Sequence, residues 1–345
     1  MQWTKWYVLV SPVATLLLAA SVVPLHAQET PLISGGMGFF SSTNGGNTTY
    51  LPLIEPLIMA PIGKRVQIES RAAIGEDFFH TPGTQGYDHA HFASFTYAQA
   101  DIFLNKHMTL VAGSYLIPFG TYNERLSPLW IGNFQSGPLI GSLGNMGSGS
   151  GLGGQLRGSA VSRKKYSIDY AAYYSARSGN EQFTAQRAFG GRSSLYLPEK
   201  RLEIGLSYGR VLQGTHENFY GGHLWWEPVN TNLRMRGEFA RGHHAQGYWV
   251  EFDYRATRLA QISPWLGGFE PVFRMQQTWR RDTIVSDTLP FKNTNRADFG
   301  LDYNLPHNAR IISSYSRQFA YQGNVNIWQT GIVYRFLFPA WKGKK

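Results

Sequence analysis

Residues 231–255 read TNLRMRGEFARGHHAQGYWVEFDYR, and their alternation decides the fold. Leu233, Met235, Gly237 and Phe239 alternate with Arg234, Arg236, Glu238 and Ala240. Beyond the polar turn at His243-His244, Tyr248, Val250, Phe252 and Tyr254 oppose Trp249, Glu251, Asp253 and Arg255. Successive side chains of a strand point to opposite faces, so each segment has one apolar face and one charged face. Two such strands joined by a short turn form an antiparallel hairpin with hydrocarbon on one side and water on the other.

The same rhythm fills the chain from Pro31 onward. Val66, Ile68, Ser70, Ala72 and Ile74 share one face of Lys64–Phe79, while Arg65, Gln67, Glu69 and Arg71 share the other. In Ala90–Leu104 the pattern directs Tyr97, Gln99 and Asp101 inward, and in Asn326–Phe338 it directs Trp328, Ile332, Tyr334 and Phe336 outward. Sixteen strands are expected, an even number as a closed bacterial barrel requires. The least regular is Tyr50–Met59, where Pro52 and Pro56 each remove a ladder donor and imply a bulge or a segment partly outside the sheet. The expected fold is therefore all-β: a transmembrane antiparallel β-barrel of about sixteen strands, spanning residues 28–338. A barrel of this size leaves a water-filled lumen.

Composition supports this reading. Hydrophobic residues make up 43 %, aromatic residues 14 % and charged residues only 16 %, below the roughly 25 % usual for soluble domains. No interior run approaches the roughly 20 apolar residues of a membrane-spanning helix. Residues 1–27 read as a signal peptide: Lys5 precedes an apolar stretch, and Ala27 ends a small-residue cleavage pattern. The sequence has no cysteine, which excludes disulfides and thiolate metal sites. A net charge of +10 is carried mainly by arginines spread singly along the strands, which suits a channel lining better than a nucleic-acid face.

One segment breaks the rhythm. Residues 120–150, GTYNERLSPLWIGNFQSGPLIGSLGNMGSGS, exceed the ordinary loop limit of about 12–15 residues and are rich in groups that need a surface to pack on. Counted along the chain, this is the third loop on the extracellular side. It is expected to fold into the barrel and constrict it, with Tyr122, Glu124, Arg125 and Trp130 at the narrowest point. The wall residues expected to line the pore are Arg65, Glu69, Arg71, Asp101, Arg157, Arg234, Arg236, Glu238, Arg274, Arg296 and Arg335. Rings of guanidinium favour anions, but acids on the same face, Glu203, Glu251 and Asp298 among them, would pair with arginines across strands and offset that field.

Glu69-Ser70-Arg71, Ile117-Pro118-Phe119-Gly120 followed by Asn123-Glu124-Arg125, Gln155-Leu156-Arg157-Gly158 and Glu270-Pro271-Val272-Phe273-Arg274 resemble the phosphate-selective porins (O and P porins) and their relatives. The resemblance implies a sixteen-stranded outer-membrane barrel of a Gram-negative bacterium, a homotrimer, with a constricting third loop and an anion preference. The sequence departs from it in two places: the constricting loop carries one arginine, Arg125, and Phe338 is followed by a basic tail, residues 339–345.

The function these observations imply is passive diffusion of small hydrophilic solutes, anions among them, through an outer-membrane porin. No enzymatic step, cofactor, metal or nucleic acid is called for. Two alternatives stay open: a structural or adhesive barrel with a closed lumen, and an outer-membrane hydrolase using a pair such as Ser207 and His223. Gly149–Gly154 fits G-x-G-x-x-G without the strand and helix of a dinucleotide site, and spacing supplies no third metal ligand for His243-His244.

Overall fold

The computed structural model describes residues 30–144, 146, 149–214, 216–283, 287–320 and 323–341. The expected signal peptide, 1–27, and residues 342–345 of the expected tail lie outside the described residues. Sixteen strands close into one antiparallel barrel in which each pairs with its chain neighbours and the first with the last. They are β1 Leu32–Asn44, β2 Asn47–Ile62, β3 Val66–His80, β4 Asp88–Asn105, β5 Met108–Leu116, β6 Ser150–Ser162, β7 Ser167–Ala176 and β8 Ala188–Leu197. The second half comprises β9 Leu202–Val211, β10 Asn218–Trp226, β11 Leu233–Arg241, β12 Ala245–Tyr254, β13 Phe269–Arg280, β14 Thr294–Asn304, β15 Ala309–Ala320 and β16 Gly323–Pro339. Closure is continuous: β1 and β16 pair from Leu32↔Pro339 to Asn44↔Ile327.

The two prolines of β2 are accommodated without a bulge, contrary to expectation. Pro52 faces Phe39 and Pro56 faces Gly35 in an unbroken ladder with β1. On the β3 side the register also holds, but pairing is interrupted at 51–52 and 55–56. Residues four apart in a strand direct their N–H positions to the same neighbour, so both missing donors fall on one seam and the other seam stays complete. β1 and β2 are joined by a tight turn at Gly45-Gly46, both with positive φ. The connection between β12 and β13 folds into two 3-10 turns, Ala256–Gln261 and Pro264–Gly268.

The outer wall is apolar. Leu206, Ile204, Phe239, Met275, Phe299, Ile332 and Trp328 are exposed, while their odd–even neighbours Ser207, Ala240, Gln276, Asp298 and Gln329 are buried. Aromatic rings gather in two bands. Near the longer loops, Phe189, Tyr208 and Tyr220 succeed one another across three strands at 6.2 and 5.5 Å, and Tyr248 meets Trp279 at 5.7 Å. Near the opposite end, Phe269 meets Tyr303 at 4.9 Å and Trp265 at 5.7 Å. An apolar belt between two aromatic girdles matches a bilayer rather than water. Among the described residues no helix is long and apolar enough to cross a membrane.

The packed core lies inside the barrel, where the long loop meets the wall. Val111, Tyr115, Ile117, Phe119, Leu126, Ile140, Leu143 and Met146 pack with Tyr173, Val211, Phe219 and Trp249. Leu206→Arg, in the middle of β9 on the outer face, is expected to destabilise the barrel by about 2–4 kcal/mol in phospholipid vesicles, measured by urea titration.

Candidate functional site: the loop-filled lumen

Between β5 and β6 the chain leaves the wall at Ile117 and returns at Gly149, whose carbonyl accepts a hydrogen bond from the Ile117 amide at 3.0 Å. Asn123 reinforces this neck, its amide donating to the carbonyls of Ile117 at 3.0 Å and Gly149 at 2.7 Å. The segment then crosses the lumen through a wide helical turn, Tyr122–Leu126, and one α-helical turn, Gly141–Gly144.

Polar groups of the wall hold it from several sides. The buried Glu238 carboxylate on β11 accepts the amides of Thr121 at 3.0 Å and Tyr122 at 3.2 Å. Gly120 lies against the same carboxylate with φ +59°, and a Cβ there would come within 2.1 Å of the Glu238 Cδ. Gly120 also donates to Ser207 Oγ at 3.0 Å and accepts from Arg192 at 2.6 Å. Across the barrel, Glu55 accepts the Leu129 amide at 3.1 Å, and Arg71 donates to Ser127 Oγ at 3.1 Å. On the third side Arg274 donates to the Ser136 carbonyl at 2.9 Å, Arg296 to that of Gly137 at 3.1 Å and Arg310 to that of Gly132. The side-chain Oε1 of Gln276 accepts the Leu139 amide at 2.7 Å.

Apolar contacts complete the seating. Trp130 and Leu129 lie over Gly36 of β1, where a Cβ would meet them at 2.8 and 2.9 Å. Tyr122 sits edge-on to Trp249 at 6.2 Å, and burial pushes its phenol pKa up. Phe134 lies under the Arg274 guanidinium at 4.4 Å.

The four loop residues singled out by sequence thus have distinct places. Glu124 pairs with Arg192 at 2.6 Å, and Arg125 pairs with Glu203 at 2.7 Å and reaches over Trp225. Tyr122 and Trp130 pin the loop to the wall.

The wall residues fall into three groups. Arg65 is an exposed residue of the turn just before β3, and its carbonyl accepts the Phe103 amide at 2.7 Å. Arg71, Arg236, Glu238, Arg274 and Arg296 point inward but are buried, so they do not present open charge to water. Arg236 pairs with Glu251 and with Asp253 at 3.4 Å; Arg274 reaches Asp298 at 2.8 Å, and Arg296 reaches it at 3.0 Å. Glu69 is half-buried beside Gln67, and Arg157 bonds Asp101 at 2.7 Å. Arg234 bridges Asp253 at 2.8 Å and Glu270 at 3.3 Å.

Arg335 lines a cavity of about 520 Å³ at the turn end, together with Trp130, Arg234, Arg255, Glu270 and Arg310. Sequence reasoning missed Glu55, Arg192 and Arg310, and also Asn133, which donates to Glu251 at 3.2 Å and Asp253 at 3.3 Å, and Asp302, 3.6 Å from Arg310. Arg310 shares parity with the inward-facing Ile312, Ser314 and Ser316, and this signal was available in the sequence. Ser207 and His223 both face inward, His223 toward Glu203 at 3.3 Å, so they build no outer-wall hydrolase site.

No family model matches the chain, and the membership implied by the short porin motifs gains no support from that quarter. No curated protein matches either. Solved structures do. OprB of Pseudomonas putida aligns at a TM-score of 0.59 with 9 % identity, covering 94 % of this chain and 95 % of that one. OccK11 (OpdR) of Pseudomonas aeruginosa aligns at 0.51 with 9 % identity, covering 90 % and 98 %. The outer membrane protein OprD of the same organism aligns at 0.48 with 10 % identity, covering 90 % and 95 %. At such identity the likeness is one of fold.

Gly120→Ala is expected to destabilise the loop seat by about 1–3 kcal/mol, through a left-handed backbone and the collision with Glu238. Limited proteolysis of the folded barrel reads this as new cleavage within 117–149, with the strands left intact.

Proposed function

We propose that the protein is an outer-membrane channel for passive diffusion of small hydrophilic solutes, with a weak to moderate preference for anions. The observation that carries this reading is an asymmetry within the ion pairs that water reaches. Arg157 leaves 37 % of its side chain accessible against 4 % for Asp101, and Arg125 37 % against 12 % for Glu203. At the turn end the contrast is 58 % for Arg255 against 2 % for Glu270, and 13 % for Arg310 against none for Asp302. In these four pairs the carboxylates lie deeper and the guanidinium groups reach over them, so a solute meets positive charge first there, whereas Arg192–Glu124 is even and Arg280–Asp287 exposes its acid. Fixed charge at close quarters, in a lumen narrowed by the 117–149 loop, biases which ions enter without any catalytic step. The fold shared with OprB supports the barrel, and the selectivity rests on this chain's own side chains.

A closed-lumen structural or adhesive barrel is the second reading, favoured by the burial of Arg236, Glu238 and Asp298 around the loop. Planar-bilayer recording separates the two. A channel gives stable ohmic steps, and a salt-gradient reversal potential is expected to report roughly two- to five-fold chloride over potassium. Arg157→Ala combined with Arg255→Ala uncovers Asp101 and Glu270 and is expected to bring that ratio to unity or below. Wild-type cation preference would overturn the anion assignment, and the absence of steps would favour the closed barrel.

A further inference from the structure

His243 and His244 form the tip of the β11–β12 hairpin, closed by the Gly242 amide donating to the Ala245 carbonyl at 2.9 Å. The start of the β13–β14 connection is fastened to this tip: the amides of Arg281 and Asp282 donate to the His244 carbonyl at 2.8 and 3.3 Å. Those bonds bring the Asp282 carboxylate to 3.4 Å from His244 Nδ1. The two imidazoles stand at right angles with centroids 4.7 Å apart, and the His243 amide is held by Glu217 at 2.6 Å. One ligand atom from each of His243, His244 and Asp282 lies within 4.8 Å of the others. His244 Nδ1 is buried and makes no hydrogen bond.

We propose that His243, His244 and Asp282 bind a zinc-class divalent ion at the loop-end rim of the barrel. Two imidazole nitrogens and one carboxylate oxygen are the donors such ions take. Zinc–ligand bonds of about 2.0–2.1 Å in a tetrahedron place neighbouring donors about 3.3 Å apart. The His244–Asp282 spacing already has this length, and side-chain rotation at the exposed His243 brings in the third donor. The fourth position opens on a cleft of about 800 Å³ also lined by His216, Glu217, Arg241 and Arg281. Glu217 offsets part of the arginine charge, and the two arginines suit an anion or hydroxide as fourth ligand. Binding would tie the hairpin tip to the loop that begins at Arg281, bracing one side of the barrel mouth. Hard ions such as magnesium, which prefer an octahedral oxygen set, are expected to be rejected. The site does not depend on whether the barrel conducts.

The competing account of the same geometry is a plain His244–Asp282 ion pair, and calorimetry distinguishes them. Untagged full-length protein in detergent, stripped with EDTA and titrated with zinc chloride at pH 7.5, is expected to bind one ion saturably, with magnesium chloride giving no heat. His244→Ala and Asp282→Asn are each expected to weaken zinc binding about ten-fold or more. The Asp282→Asn change lies on an exposed loop and keeps the strands intact, as circular dichroism would verify. No saturable zinc heat in the wild type, or equal affinity in the wild type and both variants, would overturn the proposal.

Discussion

A backbone that crosses hydrocarbon must satisfy all its N–H and C=O groups internally, and for strands the only arrangement that does so is a closed ring. Every feature of this molecule follows from that constraint or is bent to respect it. The β1–β16 seam is paired along the whole of β1, so no edge is left open. The prolines of β2 are tolerated because both missing donors are aimed at one seam, where β3 pairs on either side of each gap. A proline at an adjacent position would have interrupted the β1 ladder instead. Closure also forces the odd–even segregation of side chains: what is not turned to the apolar exterior must be turned to the interior.

The interior then has to be made acceptable to the charges placed there. Isolated buried ions are costly, and removing one partner of a buried pair typically destabilises by several kcal/mol. Here the wall from β11 to β14 pairs them in series, Arg234 with Asp253 and Glu270, Arg236 with Glu251, Arg274 and Arg296 with Asp298. The spare donors of Arg274, Arg296 and Arg310 turn to carbonyls of the loop. The loop in turn donates its amides to Glu238 and Glu55. Loop and wall therefore satisfy each other, and the same bonds that solvate the buried charges give the loop one position.

This mutual dependence explains what could be read in the sequence and what could not. Alternation is local, so the strand number and the outer faces of β11, β12 and β16 were legible from single segments. The inward direction of Arg234, Arg236 and Arg274 was legible for the same reason. The burial of Arg236 and Arg274 was not, because it depends on where the 117–149 loop, distant in the chain, comes to rest. The proline argument for β2 considered the donors lost but not the side on which they were lost. One signal of the loop's path was present and unused: Gly36 faces inward in β1, and a glycine inside a strand marks a close approach of another group, here Trp130. The porin-like motifs gave the right architecture, and no family model bears out the membership they implied.

On the proposed channel reading, the depth of the acids bears on which ions would enter the lumen. A carboxylate at the foot of an arginine lowers the field that the guanidinium casts into water but does not reverse it, since the nearer charge dominates at short range. Where the loop seals the pair, as over Arg236 and Glu251, neither charge reaches the solute and the pair serves only to hold the fold. Where water reaches the pair, as at Arg157 and Arg255, the arginine is the more exposed partner. In the channel proposed above, one repeated motif, an arginine reaching across a strand to a deeper acid, would do structural work under the loop and electrostatic work where water reaches it.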